Sequence, residues 1–321
     1  MSSTRFDIYY NYYMLVYLFI LGDIMNYYNE IKEKLIKCEV YEKIKDYAKE
    51  QNKVKVYYET GKLLSEAGKE YGKNIIEQYA QKLVSEVGKK YNARTLRRMR
   101  QFYDVFENGK WSPMATNLTW THFQELLSIK DSDAIDYYIK QTITYNWSKR
   151  LLREKIKSKE YERLPESTRN KIIENNKDIQ KNDLVPDPIL IKNNQLDKNI
   201  SEYALKEMIL NNIDGFLSQL GNGFTYVGNE YKIKVSNEYN YIDILLYNII
   251  YHCFVVIELK VTALKKEHIG QIQIYMNYID KNIKTNIDND TVGIIICKKN
   301  RDYVIEFCSD KRIISREYRF I

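Results

Sequence analysis

The chain reads as an α/β carboxy-terminal domain, a mixed sheet flanked by helices, behind an all-α amino-terminal domain. Three observations predict this. Apolar runs of strand length crowd residues 224–261, helical periodicity with little strand signal fills residues 25–158, and three of the four prolines, Pro165, Pro186 and Pro188, fall between the two among Asn, Asp and Lys. The boundaries that follow are 1–24 as an extension, 25–159 as a helical domain, 160–198 as a linker and 199–321 as the α/β domain. At 321 residues the chain is long enough for each domain to bury its own core.

In chain order, Ile8 to Gly22 is uncharged and apolar-aromatic. Its 15 residues fall short of the roughly 20 that a membrane helix needs, and no small-x-small cleavage site follows. Residues 1–24 are therefore read as an upstream-start extension or a disordered arm. Farther on, Ile75, Ile76, Tyr79, Leu83, Val84 and Val87 recur at helical spacing and stop at Gly88 in a C-cap position. A short turn, Lys89 to Asn92, leads to a second helix beginning near Arg94. This order is helix-turn-helix-like, and Arg94, Arg97, Arg98 and Arg100 have no acid among them. They would repel one another unless an anion is near, which makes them candidates for phosphates or base edges. Lys149, Arg150 and Arg153, with Lys155 and Lys157, form a second basic strip. Trp111, Trp120 and Trp147 are read as packing anchors rather than base-stacking platforms.

Charge divides unevenly. Lys and Arg against Asp and Glu number 35 against 28 over residues 1–198 and 15 against 15 over residues 199–321, so the whole net charge of +7 lies in the amino-terminal part. A basic helical domain beside a neutral one suits an enzyme that acts on a polyanion. Thirty Tyr, with frequent Asn, Ile and Lys, match the bias of an AT-rich genome. Cys38, Cys253, Cys297 and Cys308 show no C-x-x-C spacing, and the three histidines do not cluster. That argues against zinc and a disulfide framework and fits a reducing cytoplasm.

The carboxy-terminal domain reads as a helix over 201–219, strands near 224–235, 240–247 and 253–261, a helix over 266–280, and strands near 291–297 and 303–308. Leu220-Gly-Asn-Gly-Phe224 lacks the Lys-Ser/Thr of a phosphate loop and is read as a helix stop and turn. Within the strands, Tyr241-Ile-Asp-Ile-Leu-Leu-Tyr247 and Phe254-Val-Val-Ile-Glu-Leu-Lys260 form a hairpin that sets Asp243 opposite Glu258, with Lys260 on the face of Glu258. A Glu-x-Lys by itself is commonly a solvated strand edge. Here both acids lie inside apolar runs, and unpaired buried charge is costly. Two carboxylates held close repel unless a proton or cation sits between them, and hard oxygen ligands suit Mg2+. In the following helix Gln271 and Tyr275 stand one turn apart on a single face.

These residues, in this order, resemble the PDDEXK (restriction-endonuclease-like) nuclease superfamily. More narrowly, Phe216-Leu-Ser-Gln-Leu-Gly-Asn-Gly-Phe-Thr-Tyr-Val-Gly228, Tyr241 to Tyr247, Val256-Ile-Glu-Leu-Lys260, Gly270-Gln271 and Gly293-Ile-Ile-Ile-Cys297 resemble the YhcG-like PDDEXK nuclease family. Arg94-Thr-Leu-Arg-Arg-Met-Arg-Gln-Phe-Tyr103, Leu118 to Leu127 and Asn146 to Arg153 resemble its helical domain. The resemblance covers about residues 50–160 and 200–308. It implies a metal-dependent nuclease in which Asp243 and Glu258 hold Mg2+ (or Mn2+), with the carbonyl of Leu259 as a further ligand. Lys260 would then orient or deprotonate the attacking water, and Gln271 and Tyr275 would donate to the water or the scissile phosphate. Glu207, on the helix before the sheet, would approach the metal from behind. One departure stands out: Gln219 occupies a position where relatives carry Glu, and an amide supplies no charge to a metal.

The expected partner is nucleic acid, DNA before RNA, with no membrane; two cuts on a duplex would suit a homodimer. Two other classes stay open. One is a binding or assembly module without turnover, and the other is a regulatory partner in a host-defence system.

Overall fold

The computed structural model describes residues 26–42, 49–72, 74–107, 117–174, 185–193, 200–308 and 310–321. The chain divides into two compact units that meet between Glu154 and Lys155. Residues 1–24 and Trp111 lie outside the described residues. Among those described, no helix is long and apolar enough to cross a membrane.

The first unit is helical: α1 (residues 26–42), α2 (Lys49–Tyr71), α3 (Ile75–Glu86), α4 (Ala93–Phe106), α5 (Trp120–Leu126), α6 (Ser132–Tyr145) and the start of α7 (Lys149–Lys157). Its core is aromatic. Phe102 meets Tyr58, Trp120, Phe106 and Phe123 at ring-centroid distances of 4.9 to 5.6 Å, mostly edge to face, which is how ring quadrupoles prefer to pack. Trp120 and Trp147 are buried here. Between α3 and α4 a 3-10 turn, Lys89–Tyr91, leads into Asn92, whose side chain caps α4 by accepting from the Thr95 N–H at 3.2 Å.

The second unit runs α8 (Glu160–Arg163), α9 (Glu166–Ile173), β1 (Ile189–Ile191), α10 (Glu202–Leu210), α11 (Ile213–Leu220), β2 (Phe224–Val235), β3 (Glu238–Asn248), β4 (Cys253–Ala263), α12 (Lys266–Asn282), β5 (Asn289–Lys299), α13 (Asp302–Glu306) and β6 (Ile313–Phe320). The six strands make one mixed sheet in the order β1-β6-β5-β4-β3-β2. β2, β3 and β4 are antiparallel neighbours, whereas β4–β5, β5–β6 and β1–β6 pair in parallel. One apolar layer joins the sheet to α10 and α11 through Leu205, Ile209, Phe216 and Leu220; another joins it to α12 through Ile272, Tyr275, Met276 and Ile279. Gly293 permits the second contact, since a Cβ there would lie 2.6 Å from the Met276 sulfur. At the end of α11, Gly221 and Gly223 have φ of 119° and 83°, which turns the chain into β2 as the sequence predicts.

Three expectations need correction. The helix read over 201–219 is two helices broken at Asn211–Asn212. The strand read near 303–308 is α13: β5 and β6 are parallel, so the chain must cross over between them, and this apolar run serves the crossover with Val304 in the core. The linker range 160–198 contains α8, α9 and β1, and β1 is a sheet strand, Ile189 to Ile191 pairing with Tyr318 to Phe320. Three residues are too few for a periodic signal; the pairing with a strand far along the chain makes them a strand.

β3 changes partners along its length. It pairs with β4 only over Ile244–Asn248, yet with β2 as far as Glu238, so the far half of the hairpin is a two-stranded ribbon beyond the rest of the sheet. Strict alternation would put Ile242 and Ile244 on one face, but Ile242 packs in the α12 layer and Ile244 in the α10–α11 layer. The alternation thus breaks at Asp243, and Glu230, the residue facing that point on β2, has φ of 46°.

Candidate active site

Asp243 lies one step beyond the last β3–β4 pair, Ile244 with Ile257, and that register continued by one places it level with Glu258. There its carboxylate takes over a backbone donor that the ladder has released: Oδ2 accepts from the Leu259 N–H at 2.9 Å. Its other oxygen, Oδ1, lies 3.9 Å from the Lys206 ammonium. Burial pushes the Asp243 carboxyl up, against the pull of the Leu259 N–H, Lys206 and Lys260.

Glu258 is more extreme. It is 2% exposed, its Oε1 lies 2.7 Å from the Lys260 ammonium, and its Oε2 is buried without a hydrogen-bond partner. Burial, then the charge of Asp243, raise its carboxyl to about 7 despite Lys260. A buried acceptor left unpaired costs on the order of 1–3 kcal/mol. Lys260 is itself largely buried, which works against its charge, but Glu258, Glu202 and Asp243 together hold the ammonium above its ordinary value. On α12, Gln271 Nε2 donates to the Tyr275 hydroxyl at 2.9 Å. Burial lifts the Tyr275 phenol, Gln271 opposes this, and the charges of Glu258 and Asp243 add to it, so the pair lies within electrostatic reach of both acids.

The acid of α10 that reaches this cluster is Glu202, not Glu207. Glu202 Oε2 lies 3.4 Å from Lys260 Nζ, and Lys206 follows one turn later on the same helix face. Glu207, one residue on, is rotated by about 100° and lines a separate cavity with Tyr203, Asn211 and Asn212. Lys206 is 8% exposed and bridges two strands: its ammonium donates to Glu230 Oε1 at 2.7 Å besides facing Asp243. Sequence reasoning missed Glu202, Lys206 and Glu230. The i, i+4 spacing of Glu202 and Lys206 is the only local signal, and it is shared by many solvated helices. At Gln219, the amide oxygen accepts from Arg163 Nη2 at 2.8 Å, away from both acids' hydrogen bonds among the described residues.

In the helical unit the expected basic residues separate into two groups. Arg97 pairs with Glu77, Arg150 with Glu154 at 3.2 Å, and Lys149 and Arg153 converge on Glu125 at 3.7 and 2.7 Å. Arg94, Arg98 and Arg100 have no carboxylate partner among the described residues. The repulsion expected among four arginines is thus relieved at one of them by an acid 20 positions back. Lys155 does not belong to the basic strip: it is buried, pairs with Glu160 and donates to the Ser218 carbonyl at 2.5 Å.

Comparison with known proteins agrees with this division. Residues 182–319 match the YhcG PDDEXK nuclease domain, and residues 33–163 match the DUF1016 N-terminal domain. YhcG of Escherichia coli (strain K12) is 24% identical over an alignment of 241 residues, and the match covers 64% of this chain and 64% of that relative, less than two thirds of its length. A repair endonuclease from Pyrococcus abyssi is superposable over 40% of this chain and 49% of its own at 16% identity, with a TM-score of 0.27. An EndoMS–dsDNA complex gives 40%, 48%, 15% and 0.28. These two scores are too low to carry an argument. With its two domains matched in succession and its paired acids and Lys260 in place, the chain is homologous to YhcG and carries a YhcG PDDEXK nuclease domain behind a DUF1016 N-terminal domain.

Proposed function

We propose that this chain hydrolyses phosphodiester bonds of nucleic acid, DNA in preference to RNA, with Mg2+ or Mn2+ held by Asp243, Glu258 and the carbonyl of Leu259. The observation that carries this is the buried, unpartnered Oε2 of Glu258 beside the carboxylate of Asp243, a pair that a cation would satisfy. Among the described residues no point gathers three or more His, Cys, Asp or Glu side chains. The donors are then two carboxylates, a carbonyl and water, a set suited to a hard ion that retains several waters. The Leu259 N–H points toward β3, and the N–H and C=O of one strand residue leave along the same edge, so its carbonyl is turned that way too.

A divalent ion bound there lowers the pKa of its water and neutralises charge on the phosphate. Lys260, kept an ammonium by its carboxylate neighbours, donates to the attacking water or the scissile phosphate in a desolvated site where such a charge counts heavily. Tyr275, kept protonated by its burial and oriented by Gln271, is a second donor to the phosphate. The α3–turn–α4 pair acts in helix-turn-helix fashion, with Arg94, Arg98 and Arg100 taking phosphates. Arg97 and Arg150 join by exchanging exposed carboxylate partners for phosphate, and Lys149 and Arg153 by leaving the half-buried Glu125 that they share.

The test is cleavage of labelled single-stranded, double-stranded and branched DNA and of RNA, with Mn2+, Mg2+ or EDTA, by the intact chain and by Glu258→Ala. Metal-dependent cutting lost in the variant is expected. No cutting of any substrate by the intact chain, with Mn2+ binding unaltered in the variant, would overturn the assignment.

A further inference from the structure

The ribbon formed by the far halves of β2 and β3 carries a face that neither core uses. Lys232 pairs across the ribbon with Tyr241 and Lys234 with Tyr239, so these four side chains share one face. The opposite face holds Ile233, Val235, Tyr231 and Ile242 against the α12 layer. On the open face Tyr239 is 58% and Tyr241 52% exposed. The Lys232 ammonium lies 3.9 Å from the centroid of the Tyr239 ring and that of Lys234 lies 5.8 Å from the same ring. Neither lysine has a carboxylate partner among the described residues, and Tyr241 makes no hydrogen bond among them. Two ammonium groups gathered on one ring with no acid to neutralise them form a local anion site. A neighbouring tyrosine with no partner offers a free aromatic face. That face begins two residues, about 6.6 Å of strand, before Asp243.

We infer that this ribbon is a binding site for an unpaired segment of the nucleic-acid strand next to the scissile phosphate. Tyr241 stacks on a base, and Tyr239 holds Lys232 and Lys234 over adjacent phosphates. Charge complementarity with a polyanion and continuity with the Asp243 end of β3 support that occupant. A paired duplex hides its base faces and has no use for Tyr241, whereas an unstacked strand presents them. The inference takes the active-site assignment above as given, and its test separates the two.

Binding of fluorescein-labelled oligodeoxythymidylate, oligouridylate and a blunt duplex by the intact chain is measured by anisotropy in EDTA, for the native sequence, Tyr241→Ala, Tyr241→Phe and the double variant Lys232→Gln/Lys234→Gln. Loss of one base–aromatic stack weakens single-strand binding roughly 5- to 100-fold, with Phe restoring it and the duplex unaffected. Loss of two phosphate contacts lowers the slope of log K against log salt by about 1.4, at about 0.7 per contact on a single strand. A 4-thiothymidine strand is expected to crosslink within residues 239–241, read by mass spectrometry, even if the helical unit dominates affinity. Crosslinks confined to other segments, with single-strand binding unchanged in Tyr241→Ala, would overturn the ribbon site. If the chain cleaves with Mn2+ while these variants behave as native, the ribbon fails and the nuclease stands. If the crosslink maps to the ribbon but no phosphodiester is cut, the reverse holds.

Discussion

Lysines and arginines meet acids in both units, but on opposite terms. In the helical unit Arg150 and Arg153 are exposed, their acids are partly so, and each pair can open toward water or a phosphate at little cost. In the sheet unit Lys206 and Lys260 are almost wholly buried, and they face carboxylates that burial has pushed above their ordinary range. The same residue types therefore do different work. Under the proposed function, exposed pairs would be exchangeable contacts for a polyanion, while the buried ones would hold a charge pattern for hydrolysis at a cost in stability.

Removing a buried charge should break that contrast most clearly. Lys260→Met is expected to lower cleavage by roughly 10²- to 10³-fold while Mn2+ binding persists; calorimetric Mn2+ titration alongside single-turnover cleavage checks it. Lys206→Met should act with the opposite sign on the metal. Without its ammonium 3.9 Å from Asp243, Mn2+ affinity should rise, on the order of tenfold, and a fall would show that Lys206 organises the site rather than opposing the ion. Glu258 makes the contrast depend on pH. Its folded carboxyl titrates at about 7 against an ordinary 4.5, so the folded chain keeps a proton that the unfolded chain has shed. Metal-free stability from this group is therefore highest below 4.5 and is lost as pH rises to about 7. Thermal melts in EDTA should show that decline, and Glu258→Gln should remove it.

Smaller effects belong to the exposed side. Arg98→Gln should weaken binding similarly across sequences and lower the salt slope by about 0.9 on duplex DNA, leaving hydrolysis of a small chromogenic phosphodiester unchanged. A slope change that also appears for Arg153→Gln would show that exposed pairing with Glu125 does not withhold an arginine from phosphate. The smallest change is expected for Gln219→Glu. Its new carboxylate would meet Arg163, already bonded at 2.8 Å, so Mn2+ affinity should stay as it is; a gain would make position 219 part of the metal site.

Much of the fold was legible because local signals agreed. Alternation and β-branched content marked β2, β3 and β4, the run of Val255 to Leu259 read as a buried strand, and the level placement of Asp243 and Glu258 followed from a period of two. What escaped was of two kinds. β1, α13 and the unread strand β6 are segments whose state depends on a distant partner or on the need to cross between parallel strands. Glu202, Lys206 and Glu230 look like ordinary solvated residues in the sequence, and choosing Glu202 over Glu207 required the rotation of α10 about its axis. The break of alternation at Asp243 was also unreadable, since Ile242, Ile244 and Leu245 are all apolar and suit either face.

By itself, the sequence determined the two-unit order, the central hairpin, the paired acids with Lys260, and the basic helix after a tight turn. Each rests on interactions between residues close in the chain, through backbone periodicity, capping and the pairing of adjacent strands. Only the tertiary structure decided which charges are buried and by whom they are met. Desolvation and Coulomb coupling act through space: Lys206 reaches Asp243 across 37 positions, Glu202 reaches Lys260 across 58, and Glu258 owes its raised carboxyl to the packing around it.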